Sequence, residues 1–166
     1  MRRGITTRRR NSIISGICLT LMLGLFACSD SKTVYEDSYQ TDQGEWSKDK
    51  VYSFTYNVTD TVSAHNILFN VRHTGLYPRM NLYLFTSVES PGGGEINDTL
   101  EIYLADKRGK WLGKGWGDIW TRKVTYKRNV RFPKKGDYIF NIRHGERTDV
   151  LSEILDLGIE IEQIKK

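Results

Sequence analysis

The sequence predicts an all-β protein, an antiparallel β-sandwich of jelly-roll type with about seven or eight strands, with a closed barrel as the alternative arrangement of the same strands. Two observations carry this. Aromatic and β-branched residues alternate with polar ones in segment after segment, the period-two spacing of a half-buried strand. Between these segments stand short turns built on glycine, proline and aspartate, and helical spacing is almost missing.

The elements follow in order along the chain. Val51 to Thr59 sets Tyr52, Phe54, Tyr56 and Val58 against Ser53, Thr55 and Asn57. Asn66 to Arg72 puts Ile67, Phe69 and Val71 on one face and ends at Thr74-Gly75-Leu76-Tyr77-Pro78, where glycine and proline make a turn. Asn81 to Val88 is apolar on both faces, as expected of a central strand covered on both sides, and Pro91-Gly92-Gly93-Gly94 breaks it with a flexible surface loop. Asp98 to Ala105 alternates again, and Asp106-Lys107-Arg108-Gly109 turns it into a hairpin-like pairing with Lys110-Trp111-Leu112. Further strands read at Arg122 to Phe132, at Asp137 to His144 and at Leu157 to Ile161. Val150, Leu151, Ile154 and Leu155 have helical spacing and suggest one helical turn between Asp149 and Leu155.

The N-terminus has a different logic. Arg2, Arg3, Arg8, Arg9 and Arg10 precede an apolar stretch from about Ile13 to Ala27, which ends in Leu25-Phe26-Ala27-Cys28. Basic n-region, apolar h-region and a small residue before the cut make a signal peptide. The stretch is shorter than the roughly 20 residues a spanning helix needs. The order resembles a bacterial lipoprotein signal, with Cys28 as the lipidated residue and new N-terminus. The expected organisation is therefore a removed signal at 1–27, a lipidated cysteine and flexible tether at 28–45, and a single sandwich domain at 46–166. No cofactor is expected beyond the covalent diacylglycerol and acyl chain on Cys28.

Processing changes the charge. The whole chain has 25 Lys+Arg against 20 Asp+Glu, but all five arginines of the signal leave with it, so the mature chain is formally neutral. The basic excess that would favour nucleic acid is discarded, and no nucleic-acid partner is expected. Arg122-Lys123 and Lys127-Arg128 alternate with apolar residues and read as the solvated face of a strand. Cys18 is lost and the sulfur of Cys28 carries lipid, so disulfides, thiol catalysis and zinc-thiolate sites are excluded from the mature domain.

The densest candidate for a binding surface is the run from Trp111 to Trp120, in which Trp111, Trp116 and Trp120 with Asp118 form a possible sugar-stacking platform. The plainer reading is that its glycines let strands cross closely while its tryptophans cap the core. His65, His73 and His144 share no metal-ligand spacing, so no metal is expected, and no serine stands in a nucleophile-elbow setting. No catalytic residue is assigned.

One resemblance covers nearly the whole mature chain. Asn66-Ile67 leading to Val71-Arg72, Tyr77-Pro78, Asn81-Leu82-Tyr83-Leu84-Phe85 and Asp98-Thr99-Leu100, with the cysteine of the signal, resemble the gliding-motility lipoprotein GldH family of the Bacteroidetes. The most specific part runs from Leu104-Ala105-Asp106 through Gly109, Trp111-Leu112-Gly113 and Gly115 to Gly117-Asp118-Ile119, and Leu157-Gly158-Ile159-Glu160-Ile161-Glu162 matches the family's ending. The tether shows no family pattern. The resemblance implies a non-enzymatic accessory of gliding motility and type IX secretion. It would be anchored in the cell envelope facing the periplasm, with other motility or secretion envelope proteins as partners and the membrane held through its lipid.

Overall fold

The computed structural model describes residues 31–165, and every regular element among them is a strand. In chain order these are β1 (Ser31–Gln40), β2 (Trp46–Ser47), β3 (Tyr52–Val58), β4 (His65–Thr74), β5 (Asn81–Ser90), β6 (Gly94–Tyr103), β7 (Lys114–Trp116), β8 (Ile119–Val130), β9 (Gly136–His144), β10 (Val150–Leu151) and β11 (Ile154–Ile164). One sheet has the order β1-β11-β4-β8-β7 and the other β3-β9-β5-β6, while β2 and β10 form a separate pair. All pairings are antiparallel. Without the short strands β2, β7 and β10, one sheet holds the first, eighth, third and sixth strands and the other the second, seventh, fourth and fifth. That is the jelly roll.

Period two explains the layers. Phe54 on β3, Leu82 and Leu84 on β5, Ile102 on β6 and Phe140 and Ile142 on β9 leave one sheet on the same side. They meet Ile67, Phe69 and Val71 of β4 and Leu157, Ile159 and Ile161 of β11 in a single buried cluster. Rings also cross between the sheets: Tyr35 of β1 lies 5.4 Å from Tyr56 of β3, and Tyr39 lies 5.0 Å from Phe54. Where the sandwich opens between β6 and β8, side chains lace it. The Tyr126 hydroxyl donates to the Asp98 carboxylate at 2.6 Å, Lys127 pairs with Asp98 at 2.8 Å, and Arg122 Nε donates to the Tyr103 carbonyl at 3.2 Å.

The structure departs from the sequence reading at four places. Residues 31–40 of the expected tether are the edge strand β1, paired along its length with β11. Their polarity fits an edge, since only Tyr35 and Tyr39 are needed to cross to the other sheet. β5 is hydrogen-bonded on both sides but covered on one face only, and Tyr83 and Phe85 are exposed, with Arg143 placed 5.2 Å over the Phe85 ring. The expected helical turn is instead β10, a positive-φ Glu153 and the start of β11, because Leu151 pairs with the fully buried Trp46. The pairing of Lys110-Trp111-Leu112 shrinks to one bridge, Ala105 with Trp111, flanked by the Leu112 N–H on the Leu104 carbonyl at 2.7 Å.

The three histidines are core residues, each boxed by rings of its own: His65 by Tyr56 and Phe132, His73 by Tyr77 and Trp111, and His144 by Trp46. Burial pushes all three below the ordinary histidine value. Among the described residues no three or more His, Cys, Asp or Glu side chains are grouped to hold a metal ion.

Two predictions test this packing. Phe69→Ala, at the centre of β4, is expected to cost about 3–5 kcal/mol, read as a lower urea midpoint with an unchanged slope. The unfolded state takes up protons on its histidines before the folded state does, so stability is full above about pH 6.5 and falls as pH drops from there through the lowered folded-state values. Urea midpoints at neutral and mildly acidic pH measure this loss. A midpoint flat over that window would mean that the rings are charged or solvated in the native state.

Candidate functional site

The run from Leu104 to Trp120 connects the two sheets at the end opposite Ser31. A tight turn opens it: the Gly109 N–H donates to the Asp106 carbonyl at 2.9 Å, and the Asp106 carboxylate accepts from the amides of Arg108 and Lys110. Positive φ at Gly109 (79°) makes glycine the natural residue there. The run then forms β7 and folds back on β8, with Lys114 opposite Thr121, Gly115 opposite Trp120 and Trp116 opposite Ile119. Two glycines permit this approach. A side chain at Gly113 (φ 96°) would stand 2.2 Å from the Thr121 carbonyl oxygen, and one at Gly115 would lie 2.7 Å from the Trp120 ring.

The tryptophans therefore divide between the two faces. Trp111 is partly buried against the core, its ring edge-on to His73 at 4.7 Å. Trp120 covers Gly115 and pairs across the sheet with buried His73, which places it on the inner face at the sheet margin. Trp116, one residue from Gly115 along β7, projects on the outer face and is 88% exposed. Asp118 is exposed in the next turn. The Gly75 N–H donates to its backbone carbonyl at 2.7 Å, tying the β7–β8 turn to the β4–β5 turn, where Leu76 is 78% exposed. The structure thus brings Trp116, Asp118 and Leu76 to one end as exposed side chains, while Trp111 and Trp120 at the same end are turned inward, Trp111 Nε1 lying 3.8 Å from where a side chain at Gly75 would stand. A flat platform of three rings is not formed.

Other surface features escaped the sequence. Across the outer face of the β3-β9-β5-β6 sheet, Phe85, Ser87, Asn97, Thr99, Asn141 and Arg143 line a depression of about 400 Å³. Asn141 organises it, accepting from the Ser53 hydroxyl at 2.6 Å and donating to Glu89 at 2.7 Å. On the other sheet the Glu160 carboxylate is buried on the outer face, accepting from Thr33 of β1 at 2.9 Å and pairing with Lys123 of β8. Burial pushes its carboxyl up, yet the hydrogen bonds from Lys123 and Thr33 outweigh this and hold it below the usual range. Lys123 and Lys127, expected to be merely solvated, are thus ion-pair partners of Glu160 and Asp98. Sequence did not single out Glu160, which is one of three acids on β11 with Asp156 and Glu162.

A family model described as "GldH lipoprotein" matches residues 33–161. The chain belongs to the GldH lipoprotein family. That match begins inside β1, so the family pattern extends into the segment expected to be a patternless tether. The chain is 36% identical over 146 residues to a "Gliding motility lipoprotein GldH homolog" of Christiangramia forsetii, covering 84% of this chain and 89% of that one. It is also 36% identical over 156 residues to the "Gliding motility lipoprotein GldH" of Flavobacterium johnsoniae, covering 90% and 96%. Among solved structures it is similar to the Yersinia pseudotuberculosis-derived mitogen, at 11% identity and a TM-score of 0.37 over 80% of this chain and 87% of that one. In this GldH-family chain, the Ala105-Asp106 to Asp118-Ile119 segment is the connection that builds the end bearing Trp116.

The two tryptophan roles can be separated by substitution. Trp111→Ala is expected to destabilise by about 2–4 kcal/mol, and Gly113→Ala by more than about 1 kcal/mol through clash and strained φ. Trp116→Ala is expected to stay within about 0.5 kcal/mol of the parent. Equal losses for Trp111→Ala and Trp116→Ala in urea titrations would overturn the assignment.

Proposed function

We propose that the protein is a lipid-anchored, non-enzymatic accessory of the gliding-motility apparatus, linked to type IX secretion and acting through protein contacts on the periplasmic side of the cell envelope. Family membership and the names of its relatives support the motility role. Cys28 lies outside the described residues, and its role as lipid carrier is supported by the signal order before it and by the lipoprotein family. A non-enzymatic role is supported by the enclosure of all three histidines among core rings.

The observation that carries a contact function is Trp116. A large aromatic 88% exposed, on a short strand fixed by two close-packed glycines, has no structural use where it stands. Rigid exposed tryptophans are favoured anchors of protein interfaces, because they bury much apolar area at little entropic cost. Leu76 and Asp118 at the same end supply apolar and charged neighbours. A platform of three tryptophans is less well supported, since Trp111 packs edge-on to His73 and Trp120 covers Gly115.

Cys28→Ser is expected to block lipid attachment and with it the cut before residue 28, so that the chain keeps residues 1–27, read as a larger mass of its N-terminal peptide. Trp116→Ala should remain membrane-bound and folded while losing co-purification of its envelope partners. If gene deletion left the abundance of other motility components and the export of their cargo unchanged, the proposal would fail.

A further inference from the structure

Only Ser29 and Asp30 separate Cys28 from the start of β1. Three residue steps reach at most about 11 Å. A lipid on Cys28 therefore holds the Ser31 end of the sandwich at the bilayer surface with little slack, where a tether to residue 45 would have left the domain free. The register shows what lies at that end. Ser31 pairs with Ile164, Gln163 with His65 and His65 with Val130; in the other sheet Val58 pairs with Gly136 and Ser90 with Gly94. The connections beside the lipid are consequently 59–64, 91–93 and 131–135.

These connections carry Arg131, Lys134 and Lys135 against one acid, Asp60, and Arg128 is exposed beside them near the end of β8. The Asp60 carboxylate is already engaged, accepting from the Val62 amide at 2.8 Å, the Ser63 amide at 3.1 Å and Gln163 Nε2 at 2.8 Å. Among the described residues none of the four basic side chains is in an ion pair. Arg131 Nε donates to the Val62 carbonyl at 3.2 Å, and the Lys134 ammonium would lie 3.0 Å from a side chain at Gly92, so the three connections make one surface. Val62 and Ile96, 64% and 62% exposed, add apolar side chains there. Glu95, Asp137 and Glu162 stand on the strand ends beside these connections and by parity point to the outer faces of the sheets, the Asp137 carboxylate accepting from Asn57 Nδ2 at 2.6 Å. The connections at the opposite end hold acids and bases in equal number.

We infer that the Ser31 end is a membrane-contacting face whose basic connections bind the headgroups of anionic phospholipid and so set the tilt of the sandwich. The inference rests on Cys28 carrying the lipid. Charge complementarity supplies the partner: lysines and arginines close to an anionic bilayer are attracted to it, and that field fades within roughly 10 Å. Ten-residue strands place the Trp116 end about 33 Å away, beyond the field.

The test uses the lipidated mature protein purified from membranes and reconstituted into vesicles of phosphatidylcholine, with or without phosphatidylglycerol. A fluorophore is attached at Ile96→Cys or at Leu76→Cys, and quenching by a lipid with a nitroxide headgroup is read. Quenching is expected to be about threefold stronger at position 96 than at 76 in phosphatidylglycerol vesicles. The difference should shrink in high salt and when Arg128→Glu, Lys134→Glu and Lys135→Glu are combined. Equal quenching at both positions, or the same difference without phosphatidylglycerol, overturns the inference; the salt arm needs no variant and so does not depend on its folding. The mass of the N-terminal peptide is read separately. An unmodified Cys28 defeats the anchoring reading itself, whereas a modified Cys28 with equal quenching defeats the membrane-facing end alone.

Discussion

The structure depends on β11 being hydrogen-bonded on both edges, to β1 on one side and to β4 on the other. Its inner face supplies Leu157, Ile159 and Ile161 to the core, and its outer face holds Gly158 and the buried Glu160. Gly158 makes the close pairing possible, since a side chain there would stand 3.2 Å from both the Asp37 carbonyl oxygen and the Ser38 side chain. Glu160 then reaches partners on β1 and β8 at once. Both ends of the folded chain thus meet in one sheet. Such long-range pairing must overcome loop-closure entropy before it is rewarded, which makes the fold slow to form and cooperative once formed.

What was legible in the sequence follows from this arrangement. Strands with one buried face, such as β3 and β9, alternate cleanly because each residue faces either core or water. β1 was hidden because an edge strand needs few apolar residues: Tyr35 and Tyr39 do its packing, and backbone pairing with β11 does the rest. β5 misled in the opposite way. Its outer face carries Tyr83 and Phe85, which look like core in a linear pattern but face solvent, the latter beneath Arg143. The β10 segment looked helical because Val150, Leu151 and Ile154 fall on a helical spacing by chance of two short elements joined at Glu153.

The candidate site shows the same limit more sharply. The glycines between Trp111 and Trp120 were readable as points of close approach, and Gly113 and Gly115 are such points. Which tryptophan would be free was not readable, because it depends on strand parity in a three-residue strand. Gly115 and Trp120 share one face of the β7–β8 pair and Lys114 and Trp116 the other. The basic residues were similarly ambiguous in sequence: Lys123 neutralises an acid on β11, across β4, and Lys127 one on β6 of the other sheet, while Arg128, Arg131, Lys134 and Lys135 are left at one end.

The placement of β1 has a mechanical consequence. A load applied at residue 31 and resisted at the Trp116 end pulls along the axis of β1, while the bonds that hold β1 to β11 run across that axis. The bonds are then strained together in shear instead of opening one after another like a zipper. An edge strand in this geometry is a traction element, able to pass force from an anchor into the whole sheet without peeling away from it.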